Sequence, residues 1–186
     1  MISDMPGVFY RFSAIALLIA FVGTPATSVG AQTEKAEAPF GDTVSERIPR
    51  YHRAAPTVST AGLLGRLGMI EARAVGFVSV LSLGPTAAED AEDRSLANFV
   101  LLNYFSIPVA GGLPSAEQVA EINRLLSDPA NAPLLIYGHE PDQAAAAWAL
   151  VRAAAGVPPE IAFQEGLTAG LQANAPAVRA RLGVPE

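Results

Sequence analysis

From Phe77 to Leu83 the chain reads Phe-Val-Ser-Val-Leu-Ser-Leu, an almost unbroken apolar stretch rich in strand-forming residues. That pattern predicts a strand covered on both faces, as in a parallel sheet, and Gly84-Pro85 ends it. Tyr104-Phe105-Ser106-Ile107-Pro108 and Leu134-Leu135-Ile136-Tyr137 predict two more strands, and Tyr51 to Arg53 a short first one. Thr57 to Thr60 reads either as an extended segment or as the entry to a helix. Elsewhere the apolar period lengthens to that of a helix. Leu63, Leu64, Leu67, Ile70 and Ala74 predict a helix stopped by Gly76, with Gly62, Gly65 and Gly68 weighing against it. An acidic loop (Glu89, Asp90, Glu92, Asp93) is expected to lead into a short helix bearing Leu96, Phe99 and Val100.

After a Gly111-Gly112 turn, Ser115 to Ser127 predicts a helix with a Ser115/Gln118 capping box and a Val119, Ile122, Leu126 face. Another helix is expected from about Ala144 to Ala155, with Trp148 and Val151 buried and Gly156 as its C-cap. Pro158 opens a helix striped by Phe163, Leu167 and Leu171, and a last short one holds Val178 and Leu182 before Gly183. Strands alternating with helices specify an α/β domain with a small, mostly parallel sheet flanked by helices.

The amino terminus has a different pattern. Arg11 closes a short leading region, Phe12 to Val22 is apolar, and Val29-Gly30-Ala31 is a small-residue cleavage signal. Residues 1–31 therefore read as a signal peptide, which implies an exported protein, periplasmic or secreted; an uncleaved anchor is the alternative. The apolar core falls short of the ~20 residues that span a bilayer, so no stable membrane span is expected after its removal. Residues 32–47 are polar and aperiodic and read as a flexible tether, leaving 48–186 as the folded domain. The chain has no cysteine, which excludes a disulfide framework and a lipid-modified cysteine. Its net charge of −6 and lack of a basic cluster argue against nucleic-acid binding. No polybasic face suggests an anionic membrane either.

The segment with most chemical content is Gly138-His139-Glu140-Pro141-Asp142-Gln143, between the strand at 134–137 and the alanine-rich helix. A tight loop between a strand and a helix amino terminus presents free N–H groups and a positive dipole end, the arrangement that holds phosphates and activates thiolates. This loop contains no cysteine, arginine or lysine, and it carries two acids and a proline.

In residue order the chain resembles the beta-lactamase-hydrolase-like phosphatase domains, small bacterial relatives of the dual-specificity and tyrosine phosphatases. The resemblance runs from about Tyr51 to Gly183. It is carried by Gly76 to Leu83, Ile107-Pro108-Val109, Pro114 to Val119, and Asp128 to Ile136 leading into the loop. Trp148-Ala149-Leu150, Gly156 to Glu160 and Glu165-Gly166 continue it. It implies a dual-specificity-phosphatase-like fold. It also implies a catalytic cysteine where Gly138 stands and a phosphate-gripping arginine at Gln143, or at Ala144 with a longer spacing. The general-acid aspartate of such enzymes is missing between Val109 and Pro114, and Gly84 replaces an arginine that often follows the second main strand.

The expectation is a degenerate, catalytically inactive member, a pseudophosphatase with no cofactor. It would act by binding an unknown protein or small-molecule ligand. Gly138, His139, Glu140, Asp142 and Gln143 are the candidate binding residues. Asp142 is expected to cap the following helix with its own carboxylate. The alternative is a hydrolase working by a changed mechanism through His139, Glu140, Asp142 and Gln143, although the loop holds no serine or threonine to activate. Tyr137 is the nearest hydroxyl and is expected to pack at the strand end. A metal site would require His139 and the distant His52 to converge.

Overall fold

The computed structural model describes residues 37–39 and 44–185. The segment 1–31, expected from its sequence to be a signal peptide, lies outside them. Five strands, β1 (His52–Ala55), β2 (Val58–Ala61), β3 (Ser79–Leu83), β4 (Asn103–Ile107) and β5 (Leu134–Gly138), form one sheet in the order β1-β2-β5-β3-β4. All neighbours are parallel except the β1–β2 hairpin pair. Thr57 to Thr60 thus resolves as strand. Among the described residues six α-helices cover the sheet: α1 (Arg66–Ala74), α2 (Ala87–Phe99), α3 (Ala116–Ser127), α4 (Gln143–Ala154), α5 (Pro159–Thr168) and α6 (Ala175–Leu182).

Both faces of the sheet are buried, which is why the strands read as continuous apolar runs. Leu81, Leu83, Leu134 and Ile136 join α3, α4, α5 and α6 in one core. Val80, Leu135 and Tyr137, the alternate positions, join α1 and α2 in a second. The two sets follow the period of two along each strand.

Helix α4 is the hub of the larger core, with Gln143 through Val151 all buried. A helix apolar on every side belongs inside a protein, and its alanines let neighbours approach closely. At Gly166 of α5 an added Cβ would lie 2.8 Å from Ala149 Cβ, so only glycine fits the crossing. Arg152 of α4 fastens the pair at its rim through a two-pronged contact with Glu165, 2.5 and 3.0 Å.

Three local expectations change. Of the expected stripe Leu63, Leu64, Leu67, Ile70 and Ala74, Leu63 and Leu64 precede the helix and only Leu64 is buried, while Leu63, Leu67 and Ile70 are exposed at 46, 58 and 39 %. Gly68, Met69 and Ala72 face the core instead, because α1 lies so close to Arg47 O that an added Cβ at Gly68 would sit 2.4 Å from it. The acids at 89–93 are not a loop: α2 begins at Ala87 on a Thr86/Glu89 capping box, where acids in the first turn oppose the helix dipole favourably. Phe99 at its end is exposed. In α3 and α5 the buried faces shift, with Leu125 rather than Leu126 buried and Leu167 partly exposed. The capping box at Ser115 and Gln118 forms as expected.

The stretch expected to be a tether is partly docked. Ala38 is buried and its N–H donates to Pro56 O, while the Tyr51 hydroxyl donates to Pro39 O. Glu37 pairs with Arg53 at 2.7 Å. No helix among the described residues is long and apolar enough to cross a membrane.

Candidate functional site

The loop leaves β5 at Gly138 and enters α4 at Gln143, at the carboxyl end of the parallel strands. In open α/β sheets this is where ligands bind. Its backbone is set by Asp142, held in the left-handed region at φ +50°, a conformation costing on the order of 1 kcal/mol outside glycine. Asp142 does not cap α4: its side chain makes no capping hydrogen bond. Instead its carboxylate accepts from the N–H groups of Gln172 and Asn174, and from Asn174 Nδ2 at 2.6 Å. Asn174 Nδ2 also donates to Pro141 O at 3.0 Å. The left-handed turn aims the carboxylate away from α4, so the loop is stitched to the α5–α6 connection.

Gln143 is completely buried and is no ordinary first-turn residue. Its Oε1 accepts from the N–H of His139 at 3.2 Å and of Glu140 at 3.4 Å. His139 N–H is shared with Leu83 O, also at 3.2 Å. The carboxamide therefore takes up amides that a phosphoryl oxygen would use in such a loop. Its Nε2 is buried with no hydrogen-bond partner among the described residues. Two glycines make room for it. A Cβ at Gly138 would stand 2.7 Å from Gln143 Cβ, and one at Gly84 (φ +73°) 2.9 Å from Gln143 Nε2 and 2.8 Å from Val109 O. The positions where the resemblance implies a cysteine and an arginine are thus closed by the glutamine as well as lacking those residues.

His139 turns toward β3 and α2. Its Nε2 lies 3.2 Å from Ser82 Oγ and 3.9 Å from Asp93 Oδ2, and its Nδ1 3.5 Å from Glu89 Oε1. Tyr137 OH donates to Asp93 Oδ2 at 2.5 Å, and Tyr104 OH to Asp90 Oδ1 at 3.1 Å. The inner side of α2 therefore carries acids set against phenols and an imidazole. Burial raises the Asp93 carboxyl above the ordinary range, opposed by its Tyr137 bond. Asp90 is lowered by hydrogen bonding, foremost from Ser106. Burial pushes Tyr104 up to about 12 and also raises Tyr137, so both phenols stay protonated donors at neutral pH.

Sequence reasoning found no serine or threonine in the loop for His139 to act on and named Tyr137 as the nearest hydroxyl; the hydroxyl beside His139 Nε2 is instead Ser82, on β3. Ser82–His139–Glu89 has the order hydroxyl, imidazole, carboxylate, but Ser82 is fully buried. His52 does not join His139. It lies on the other side of β5, packed on Gly170 so closely that a Cβ there would be 2.7 Å from its ring. No group of three or more metal-ligating side chains occurs among the described residues. His52, Arg50 and Asp142 line a cavity of about 10 Å³, room for a single water. Arg50 is a cation beside the loop region that the sequence reading passed over. A larger cleft of about 340 Å³ opens against the loop, lined by Gly111, Gly112, Glu140, Pro141, Ala173 and Asn174. The candidate residues thus divide: Gly138 and Gln143 inward, His139 toward α2, Asp142 toward α6, and Glu140 on the open cleft.

No family model and no curated protein matches the chain. Solved structures do. A DUF442 protein structure from Shewanella putrefaciens CN-32 aligns over 76 % of this chain and 94 % of its own, at 21 % identity and a TM-score of 0.59. The core catalytic domain of the PP-IP phosphatase SIW14 from S. cerevisiae aligns over 75 % and 87 %, at 12 % identity and 0.59. Tk-PTP in its active form gives 72 % and 96 %, at 17 % identity and 0.59. Superposition over most of both chains at such low identity establishes architecture alone: the chain has a dual-specificity/tyrosine-phosphatase-like fold.

Proposed function

We propose that this is an exported phosphatase-fold domain that does not turn over phosphate esters and that binds a partner or small ligand at the cleft beside the 138–143 loop. The carrying observation is the placement of Gln143 Oε1 on the His139 and Glu140 amides. Phosphoryl transfer on this scaffold requires a nucleophile and donors free to grip three oxygens. Gly138 offers no nucleophile, the two amides are already engaged, and the acids Glu140 and Glu89 flank the loop. Export rests on the apolar segment and the Val29-Gly30-Ala31 signal. The test is phosphatase assay of the purified exported chain with aryl phosphates, alongside crystals soaked in phosphate, vanadate or tungstate. Background turnover and an empty loop are expected. Turnover abolished by Gln143→Ala or His139→Ala, or an oxyanion seated on the loop amides, overturns the reading.

One observation favours a second reading, hydrolysis by a changed mechanism: the Ser82–His139–Glu89 chain. Burial of Ser82 stands against it, since an attacked carbonyl carbon must reach Oγ. Covalent labelling by a fluorophosphonate, lost in Ser82→Ala, would establish it.

A further inference from the structure

Five of the seven large hydrophobic residues that stand exposed among the described residues lie in one layer of the fold: Leu63, Leu67 and Ile70 around α1, and Phe99 and Leu101 at the end of α2. Phe99 and Leu101 are 79 and 78 % exposed. Single exposed apolar residues need no explanation, but five of seven on the α1–α2 layer single out that layer as a contact surface. Between the two helices runs a cleft of about 330 Å³ lined by Arg66, Glu92, Ser95, Leu96 and Phe99. Arg66 and Glu92 make no ion pair among the described residues, although they share this cleft.

The charge pattern selects the occupant. An anionic bilayer would call for a basic rim, whereas this cleft offers one cation and one anion on a chain of net charge −6. A surface carrying an apolar ridge, a cleft, and one charge of each sign is complementary to itself. Under a two-fold axis, residue i meets residue j and j meets i. We infer that the α1–α2 face is a homodimer interface, in which Phe99 of each copy enters the other's cleft and each Arg66 meets the partner's Glu92. This interface is independent of whatever the 138–143 loop binds.

The test is sedimentation velocity on the full chain, produced with its own amino-terminal segment and recovered as the host leaves it, from about 1 to 100 µM, the range of moderate dimers. A concentration-dependent dimer is expected. Arg66→Glu and Glu92→Arg should each weaken it about tenfold or more by placing like charges across the axis. The double variant Arg66→Glu/Glu92→Arg should restore it. Phe99→Ser, at an exposed position that leaves the core intact, should abolish it, with circular dichroism confirming the fold. A monomer throughout the range overturns the inference. So does a dimer indifferent to all three single changes. Flotation of a monomeric chain with phosphatidylglycerol vesicles would likewise overturn it in favour of a lipid surface.

Discussion

Replacing Gly138 by alanine tests the central feature of the loop with one methyl group. Gly138 does not have a left-handed backbone, so alanine carries no conformational penalty there. The cost is steric: the new Cβ would stand 2.7 Å from Gln143 Cβ and 3.0 Å from its Oε1. Carbon atoms rest at about 3.5–4.0 Å, so roughly an ångström of separation has to be found. Gln143 Cβ is fixed to the backbone of α4, itself buried on all sides, and cannot swing away. Overpacking of this kind costs about 1–3 kcal/mol, or a fall in melting temperature on the order of 3–9 °C.

Urea denaturation of Gly138→Ala in the wild-type, Gln143→Ala and Gln143→Gly backgrounds, each against its own parent, isolates the term. In the wild-type background Gly138→Ala should lose the full amount. In the Gln143→Ala background it should cost about as much, since the offending Cβ is retained. In the Gln143→Gly background it should cost little. If Gly138→Ala loses less than about 0.5 kcal/mol, the loop is not filled as described. The same contact means that Gly138→Cys with Gln143→Arg should give no robust phosphatase turnover, because the arginine keeps the obstructing Cβ.

Asp142→Asn keeps a residue tolerant of left-handed backbone but removes the charged acceptor shared by Gln172 and Asn174; it should cost about 2 kcal/mol and speed hydrogen exchange at those two amides. Asp93 and Asp90 should respond to pH with opposite signs. The raised Asp93 contributes stability that is full below its unfolded value and is lost as pH rises through its folded one. Asp93→Asn should therefore gain on wild type in melting temperature from acid toward neutral pH. The lowered Asp90 contributes stability above its unfolded value that is lost as pH falls. Asp90→Asn should accordingly cost most at neutral pH and least in acid, and parallel slopes for the two variants would refute the assignment. Zinc and other divalent ions should leave the melting temperature unchanged, because His52 and His139 are held on opposite sides of β5; stabilisation lost in His139→Ala would count against that separation.

The strands were legible because burial on both faces writes itself as unbroken apolar sequence, and Ser115 and Gln118 announced α3 through a purely local rule. The face of α1 was not legible. Leu63, Leu67 and Ile70 form a good helical stripe, yet Gly68 lies against Arg47 O, where only a glycine fits, and turns inward together with Met69 and Ala72. Likewise α2 turns acids toward the sheet, where Tyr104, Tyr137 and His139 receive them, so its polarity disguised it as a loop. The position of the 138–143 loop could be read from chain order. The task of Gln143 could not, since it depends on two glycines 54 residues apart along the chain, Gly84 and Gly138, converging on one side chain. Ser82 and His139, separated by 57 positions, meet for the same topological reason.

The short strap at Glu37 to Pro39 sets a floor on trimming from the amino terminus. A cut after Ala31, which the proposed export would entail, leaves the strap whole. Trimming past Pro39 would strip the tyrosine at 51 of its carbonyl acceptor and take Ala38 out of the core it joins. Resistance to digestion is therefore coupled to where the chain begins, and after limited proteolysis a ragged end stopping short of residue 37 is the signature to look for by mass spectrometry.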